Sequence, residues 1–283
     1  MRFFYYPGCS LEATASEYNH SVYSVCRNLA IELVESKDWC CCGATSAHSL
    51  SHLLSIALPA RNIALAQEAG ADIVAPCSAC FNHLKRADKA MRENEEIRRE
   101  IEEIVEFKYT GAINIYSLLE VFVNIYGLEQ IAARVKKPLN GLKVVCYYGC
   151  MLVRPPEITG FDRPENPVTM DQLMSRLGAE PKLWSYKTEC CGAHQGIVNE
   201  KFTNRLIDTL LEMAVEAGAQ ALVTSCPLCQ VNIEMRRNRM WTLPSFYFTE
   251  LMEIALGVPL QKIWFKKHLV NPLPLLESLS LTG

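Results

Sequence analysis

Cys41-Cys42-Gly43 followed by Cys77-Ser78-Ala79-Cys80, then again Cys190-Cys191-Gly192 followed by Cys226-Pro227-Leu228-Cys229, is the stretch from which this chain is read. The offset between copies is 149 for Cys41 and Cys190, for Cys77 and Cys226, and for Cys80 and Cys229. A lone cysteine precedes each copy, Cys9 and Cys150, at an offset of 141, so the second copy holds eight more residues before its pair. Those residues are expected in the proline-rich loop Pro155 to Pro167. The flanks repeat too: Phe4-Tyr5-Tyr6-Pro7-Gly8-Cys9 answers Cys146-Tyr147-Tyr148-Gly149-Cys150, and Ala69-Gly70-Ala71-Asp72-Ile73-Val74 answers Ala217-Gly218-Ala219-Gln220-Ala221-Leu222.

Outward from the cysteines, each copy alternates strand and helix. Arg2 to Tyr6 and Lys143 to Tyr148 are aromatic and β-branched and stop at glycine, as buried strands do. Val22, Cys26, Leu29 and Leu33 lie at helical spacing and predict one apolar helix face. Leu53 to Glu68 and Phe202 to Ala217 read as helices stopped by Gly70 and Gly218. Ile73 to Ala75 and Ala221 to Thr224 read as short strands, with Cys77 and Cys226 where each strand turns into the next helix, the first of these running toward Glu106. Helices are expected around Ile115 to Tyr126, Leu128 to Val135 and Phe246 to Leu256. The mixed-sign run Arg92 to Glu106 reads as a solvated helix face. The fold expected is α/β: two pseudo-symmetric halves, residues 1–140 and 141–283, each a small parallel sheet covered by helices. The cysteine loops then converge between the halves, because ligands collect at the carboxyl ends of parallel strands.

Composition narrows the function. With 28 basic and 31 acidic residues the formal net charge is −3, which gives no drive toward nucleic acid. The apolar runs are too short to span a bilayer, and the first residues lack a secretory pattern, so a cytoplasmic location is expected. Thirteen cysteines in that setting read as metal ligands or redox thiols and not as a disulfide framework. Each C-x-x-C alone would suit a thioredoxin-like dithiol, but that leaves Cys9, Cys41 and Cys42 unexplained. A zinc site takes four ligands where each half offers five, and zinc in one half stays open as the lesser alternative. Ferredoxin-type runs are missing, while an adjacent Cys-Cys serves two irons of a larger cluster.

A single Cys, a Cys-Cys-Gly and a C-x-x-C, written twice, resemble the CCG-domain family, whose best-known member is the B subunit of heterodisulfide reductase. The resemblance implies two noncubane [4Fe-4S] clusters, the first on Cys9, Cys41, Cys42, Cys77 and Cys80, the second on Cys150, Cys190, Cys191, Cys226 and Cys229. It further implies cleavage of a small-molecule disulfide between the clusters, a ferredoxin-like partner protein with cubane clusters, and a flavin-containing partner protein. Family members acting on the methanogen heterodisulfide often carry proline where this chain has Gly43 and Gly192, so its disulfide or thiol substrate is expected to differ.

Outside the ten repeated positions stand Cys26 and Cys146, read as buried free thiols, and Cys40, set aside because register with Cys190 favours Cys41. His194, three residues after Cys191, and His48, six after Cys42, are the candidate catalytic proton donors. The competing reading makes them ordinary loop histidines. Lys187 is read as a solvated lysine near the second pair, and Tyr5, Tyr6, Tyr147 and Tyr148 as core aromatics. No dinucleotide or flavin fingerprint is written, so electrons are expected from partners. Against the catalytic reading stands a non-catalytic electron-relay or assembly subunit with zinc or a single cluster, and, further off, a dithiol oxidoreductase.

Overall fold

The computed structural model describes residues 1–44, 47–196 and 198–282. Two four-stranded parallel sheets are built alike. The first contains β1 (Arg2–Tyr5), β2 (Glu32–Glu35), β3 (Ile73–Ala75) and β4 (Ile115–Ser117) in the order β2-β1-β3-β4. The second contains β5 (Lys143–Tyr147), β6 (Glu180–Pro181), β7 (Ala221–Thr224) and β8 (Ser245–Tyr247) in the order β6-β5-β7-β8. The central strands are buried along nearly their whole length because helices cover both faces, which is why Phe3, Phe4 and Tyr5, like Val144 to Tyr147, are apolar without alternation. The registers match across the repeat: Tyr5 pairs with Val74 on β3 as Cys146 pairs with Val223 on β7.

Parallel strands point their carboxyl ends the same way, so β1 and β3 deliver Cys9 and Cys77 to one end of the first sheet, and β5 and β7 deliver Cys150 and Cys226 in the second. A turn at Gly8 and Gly149 lets the chain leave the central strand there. Both have positive φ, and a Cβ at these positions would lie 2.9 Å from the Cys80 sulfur and 3.1 Å from the Cys229 sulfur. Only glycine lets the backbone pass that close to the thiols.

Four expectations are corrected. Leu33 lies on β2 and not on the helix carrying Val22 and Cys26, which ends at Asn28; Ala30 takes a positive φ and turns the chain into an edge strand whose Glu32 and Glu35 face solvent. Residues 115–117 and 245–247 open as strands before their helices, because each finds a parallel partner in β3 or β7. The segment from 118 to 132 then runs as a short helix, a wider π-turn over Val121–Gly127 and a further short helix, Leu128–Ala132. The helix after Cys77 ends at Glu93, where Asn94 breaks it and caps a second helix, Glu95–Val105, by accepting the Glu96 and Ile97 N–H groups.

The halves meet over a polar and aromatic seam. Tyr18 stacks on Tyr247 with ring centroids 4.0 Å apart, and its hydroxyl reaches the carbonyls of both Pro76 (3.3 Å) and Ser225 (3.2 Å), the residues just before Cys77 and Cys226. The Asn82 amide donates to Met151 O at 2.9 Å and Arg154 O at 2.8 Å. Among the described residues no helix is long and apolar enough to cross a membrane.

Candidate functional site

Two tyrosines hold the Cys-Cys loops in equivalent ways. The Tyr6 hydroxyl donates to Cys40 O at 2.7 Å, and the Tyr147 hydroxyl to Glu189 O at 2.7 Å; each carbonyl belongs to the residue before the first cysteine of the pair. Trp39 and Trp184 pack edge-on against these rings. The Gly43 N–H then points at Cys41 Sγ (3.4 Å) and the Gly192 N–H at Cys190 Sγ (3.3 Å). The repeat therefore extends from spacing to individual hydrogen bonds.

The ten repeated cysteines gather into two sets. In the first, Cys42 Sγ is 3.3 Å from Cys80 Sγ, Cys41 interacts with Cys42 and Cys9, and Cys77 with Cys80. In the second, Cys191 Sγ is 3.5 Å from Cys229 Sγ, Cys190 pairs with Cys150, and Cys226 with Cys229. All five of the second set line one narrow cavity, closed from the first half by Ser78 and Ala79. The two sets touch, since the side chains of Cys77 and Cys226 interact across the seam. Thiol donation from Cys42 and Cys9 holds Cys41 down to about 2, and donation from Cys150, with the Gly192 N–H, holds Cys190 down to about 6. Both sit at the exposed side of their sets. Crowded cysteine sulfurs are the donor set that soft transition-metal centres take, and among the described residues no three His, Cys, Asp or Glu side chains are disposed around a single ion. Five thiols per half fit an iron-sulfur cluster.

The remaining thiols stand apart. Burial pushes Cys26 up to about 12 and Cys146 well above its ordinary value, as for inert core thiols. Cys40 turns its sulfur away from the pair, toward Leu58 O at 3.3 Å.

Beside the two sets opens a cleft of about 920 Å³ between the halves. His48 and His194 both line it, so the structure brings together two residues separated by about half the chain. It also brings residues the sequence reading passed over: His52, His83, Arg86 and Lys89. His83, Arg86 and Lys89 repeat at intervals of three from Cys80 along the helix Ser78–Glu93, a signal visible in the sequence once that helix is known to flank a cleft. Burial, then the neighbouring Arg86, His194 and His48, hold the His83 imidazole down to about 4.

Lys187 is corrected. It is buried, with Nζ 3.0 Å from Asp171 Oδ1 and 2.9 Å from Pro167 O, and its own carbonyl accepts the Tyr148 and Gly149 N–H groups beside Cys150. It braces the second cysteine loop from inside the protein. His268, unmarked in the sequence, is buried between Glu234 and Glu250.

A twofold-repeated parallel α/β unit that brings five cysteines to the strand ends defines a cysteine-rich class. The chain belongs to the CCG family: the cysteine-rich domain model matches residues 3–85 and 144–234. It is 28% identical over 95% of its length to the 8-methylmenaquinol:fumarate reductase membrane anchor subunit of Wolinella succinogenes, covering 97% of that protein. It is 26% identical to a protein of Archaeoglobus profundus that is itself described as like the B subunit of heterodisulfide reductase, over 90% of this chain and 91% of that one. With the B subunit of the ferredoxin/F420H2-dependent CoB-CoM heterodisulfide reductase of Methanosarcina acetivorans it shares 24% identity, over 89% and 88% of the two chains. A hypothetical protein of Helicobacter pylori has the same fold in its crystal structure, with a TM-score of 0.76 at 14% identity; the match covers 95% of this chain and about half, 52%, of that one.

Proposed function

We propose that this chain, divided into units 1–140 and 141–283, is the iron-sulfur subunit of a heterodisulfide reductase-like complex. In this reading Cys9, Cys41, Cys42, Cys77 and Cys80 hold one noncubane [4Fe-4S] cluster, and Cys150, Cys190, Cys191, Cys226 and Cys229 the other. The observation that carries it is the duplication of five-thiol sets that meet at Cys77 and Cys226 beside a common cleft. When bound, the clusters supply one electron each. The overall step takes one disulfide, two electrons and two protons to two thiols. The chain's own residues exclude water on the buried side, through Tyr6, Tyr147 and Ala79, and place His48 and His194 in the cleft for the two proton transfers. The electrons come from a ferredoxin-like partner with cubane clusters and, behind it, a flavin-containing partner. Names of relatives in heterodisulfide reductases support this assignment.

A second reading is favoured by the similarity to a fumarate reductase subunit over nearly the full length of both chains. There the chain relays electrons inside a quinol-linked complex and performs no sulfur chemistry. Anaerobic isolation with metal and sulfide analysis tests the common part: roughly eight irons per chain are expected if each half holds a four-iron cluster. Cys42→Ser or Cys191→Ser should lose about half of that iron. A fully active chain holding only tetrathiolate zinc would sink both readings. Reduction of an organic disulfide by a reduced viologen dye separates the first from the second.

A further inference from the structure

The two C-x-x-C turns break the repeat at the residues beside their first cysteines. In register, Pro76-Cys77-Ser78-Ala79-Cys80 stands against Ser225-Cys226-Pro227-Leu228-Cys229, so serine and proline have changed sides of the cysteine. Ser78 opens the helix Ser78–Glu93 at the place where Pro227 opens the helix Pro227–Arg236. Proline suits a first helical position, because the N–H it lacks would have no helical partner there. Serine at that place brings a hydroxyl instead. Ser78 is 2% exposed, and its Oγ has no hydrogen-bond partner among the described residues.

A buried hydroxyl without a partner destabilises a fold, and an alanine like the neighbouring Ala79 would fill the position without that cost. Although Ser78 belongs to the first half, it lines the narrow cavity of the second, with Cys150, Cys190, Cys191, Cys226 and Cys229. The Tyr148 hydroxyl in the same lining is already committed: it donates to Asp171 Oδ2 at 2.7 Å and accepts the Met170 N–H at 2.7 Å. Within the second half the Gly192 N–H is directed at Cys190 Sγ, and the Leu228 and Cys229 N–H groups at Cys226 Sγ. Ser78 adds a donor from across the seam. Its register partner, Pro227, has neither a hydroxyl nor an N–H, so the second half returns nothing equivalent. Ser225, the other serine of the exchange, is also buried and unpartnered but is not among the residues that line the cavity.

We infer that the Ser78 hydroxyl donates a hydrogen bond across the seam to a sulfur of the iron-sulfur group held by the second cysteine set, and so makes that group easier to reduce. That an iron-sulfur group stands there rests on the function proposed above; the orphaned hydroxyl and the broken register rest on the structure alone. Reduction adds one electron, taken from a reduced mediator or partner, and breaks no bond. The added negative charge spreads onto the sulfurs, where an O–H donor stabilises it. Ser78 keeps its proton throughout and touches no substrate, so it is a positioning residue and not a catalytic one. Two five-thiol sets with the same ligands are thereby held at unequal potentials, the first half setting that of the second.

The test uses the complete chain, isolated anaerobically with its iron, in a redox titration with viologen mediators followed by electron paramagnetic resonance. Of the two couples, the one that survives in Cys42→Ser belongs to the second set. Ser78→Ala should make that couple about three- to tenfold harder to reduce, the worth of one hydrogen bond, which is about 30 to 60 mV for one electron. The other couple should stay in place. Ser78→Thr and Ser78→Val have the same shape and differ in the hydroxyl, so Ser78→Thr should keep the wild-type potential and Ser78→Val should not. After exchange into D2O, the reduced second set should show a coupled deuteron in wild type and Ser78→Thr that Ser78→Ala and Ser78→Val lack. Iron retained by Ser78→Thr and lost from Ser78→Ala and Ser78→Val would also support the inference. A shift of less than twofold, an equal shift of both couples, or Ser78→Thr and Ser78→Val behaving alike would overturn it. So would loss of the second set's iron from all three variants, which assigns Ser78 to packing. Metal analysis separates this from the reading beneath it: zinc in the second set removes both, whereas two iron-sulfur groups with potentials indifferent to Ser78 remove this inference only.

Discussion

Glu253 illustrates how far one side chain departs from its sequence context. It looks like a surface acid on the helix Phe248–Ala255, yet it faces a narrow cavity shared with Glu17, Glu250, His20 and Trp264, with its Oε1 3.8 Å from His20 Nε2. Burial raises its pKa from 4.5 to about 7. A carboxyl whose folded pKa exceeds its unfolded one binds protons more tightly when folded. Its contribution to stability is complete below about pH 4.5 and is lost as pH rises through 7, by at most about 3 kcal/mol. Glu253→Gln should therefore be more stable than wild type at pH 8 and lose that advantage at pH 5, as read by urea denaturation at the two pH values. A stability difference that does not change with pH would show that Glu253 is ionised throughout. At this scale the cysteines were legible because metal-type ligands announce themselves by identity and spacing. Glu253 and Lys187 were not, because burial of a charged residue depends on what packs over it.

The segment after Gly257 shows the same at the scale of an element. Its short helices, Lys262–Phe265 and Leu273–Ser278, have little intrinsic stability, and what fastens them is His268. Nδ1 lies 2.9 Å from Glu234 Oε1 and Nε2 2.9 Å from Glu250 Oε1, so both ring nitrogens donate and the ring is an imidazolium. Burial opposes that charge, but Glu250 and Glu234 outweigh it and keep its pKa well above the usual histidine range. Glu234 also accepts the Leu269 N–H at 2.7 Å, and Glu250 the Tyr247 N–H at 2.8 Å, which ties the tail to β8. His268→Ala leaves two buried carboxylates without their cation and should cost about 3–5 kcal/mol. Denaturant titration should register that loss, and limited proteolysis should cut first beyond residue 257; an unchanged midpoint and unchanged cleavage pattern would contradict it. Long helices closed by a glycine stop, such as His52–Ala69 before Gly70 and Glu200–Glu216 before Gly218, needed no such partner to be read. β4 and β8 were missed because a strand of three residues carries too little periodicity, and its identity comes from the neighbour it pairs with.

Across the whole molecule, the two halves share one continuous core, with the helix Ser16–Asn28 packed on Phe248–Ala255, and part of that seam lies beside the cysteines. Tyr18 is central: fully buried, stacked on Tyr247, and bonded to the carbonyls before Cys77 and Cys226. Nearby, Ser21 Oγ and Thr249 Oγ1 are 2.6 Å apart, and the Lys136 N–H donates to Ala255 O at 2.8 Å. Tyr18→Phe keeps the stacked ring and removes the hydroxyl, so it should cost about 1–2 kcal/mol while unfolding stays a single transition, because the halves share this seam. Calorimetry showing two separated transitions in wild type would contradict the shared seam.

The sequence by itself determined the repeat, the ten cysteines, their positions at strand ends and the parallel α/β plan, since each of these is written in local spacing and residue type. The tertiary structure decided which surfaces face each other. Only docking of the halves places His48 and His83 opposite His194, sets Arg86 against Met151 and Ile158, and brings Cys77 against Cys226. Those contacts join residues roughly 70 to 150 positions apart, and no periodicity within a strand or helix encodes them. They arise because two folded units bury their seam together, and the chemistry of the cleft follows from that packing.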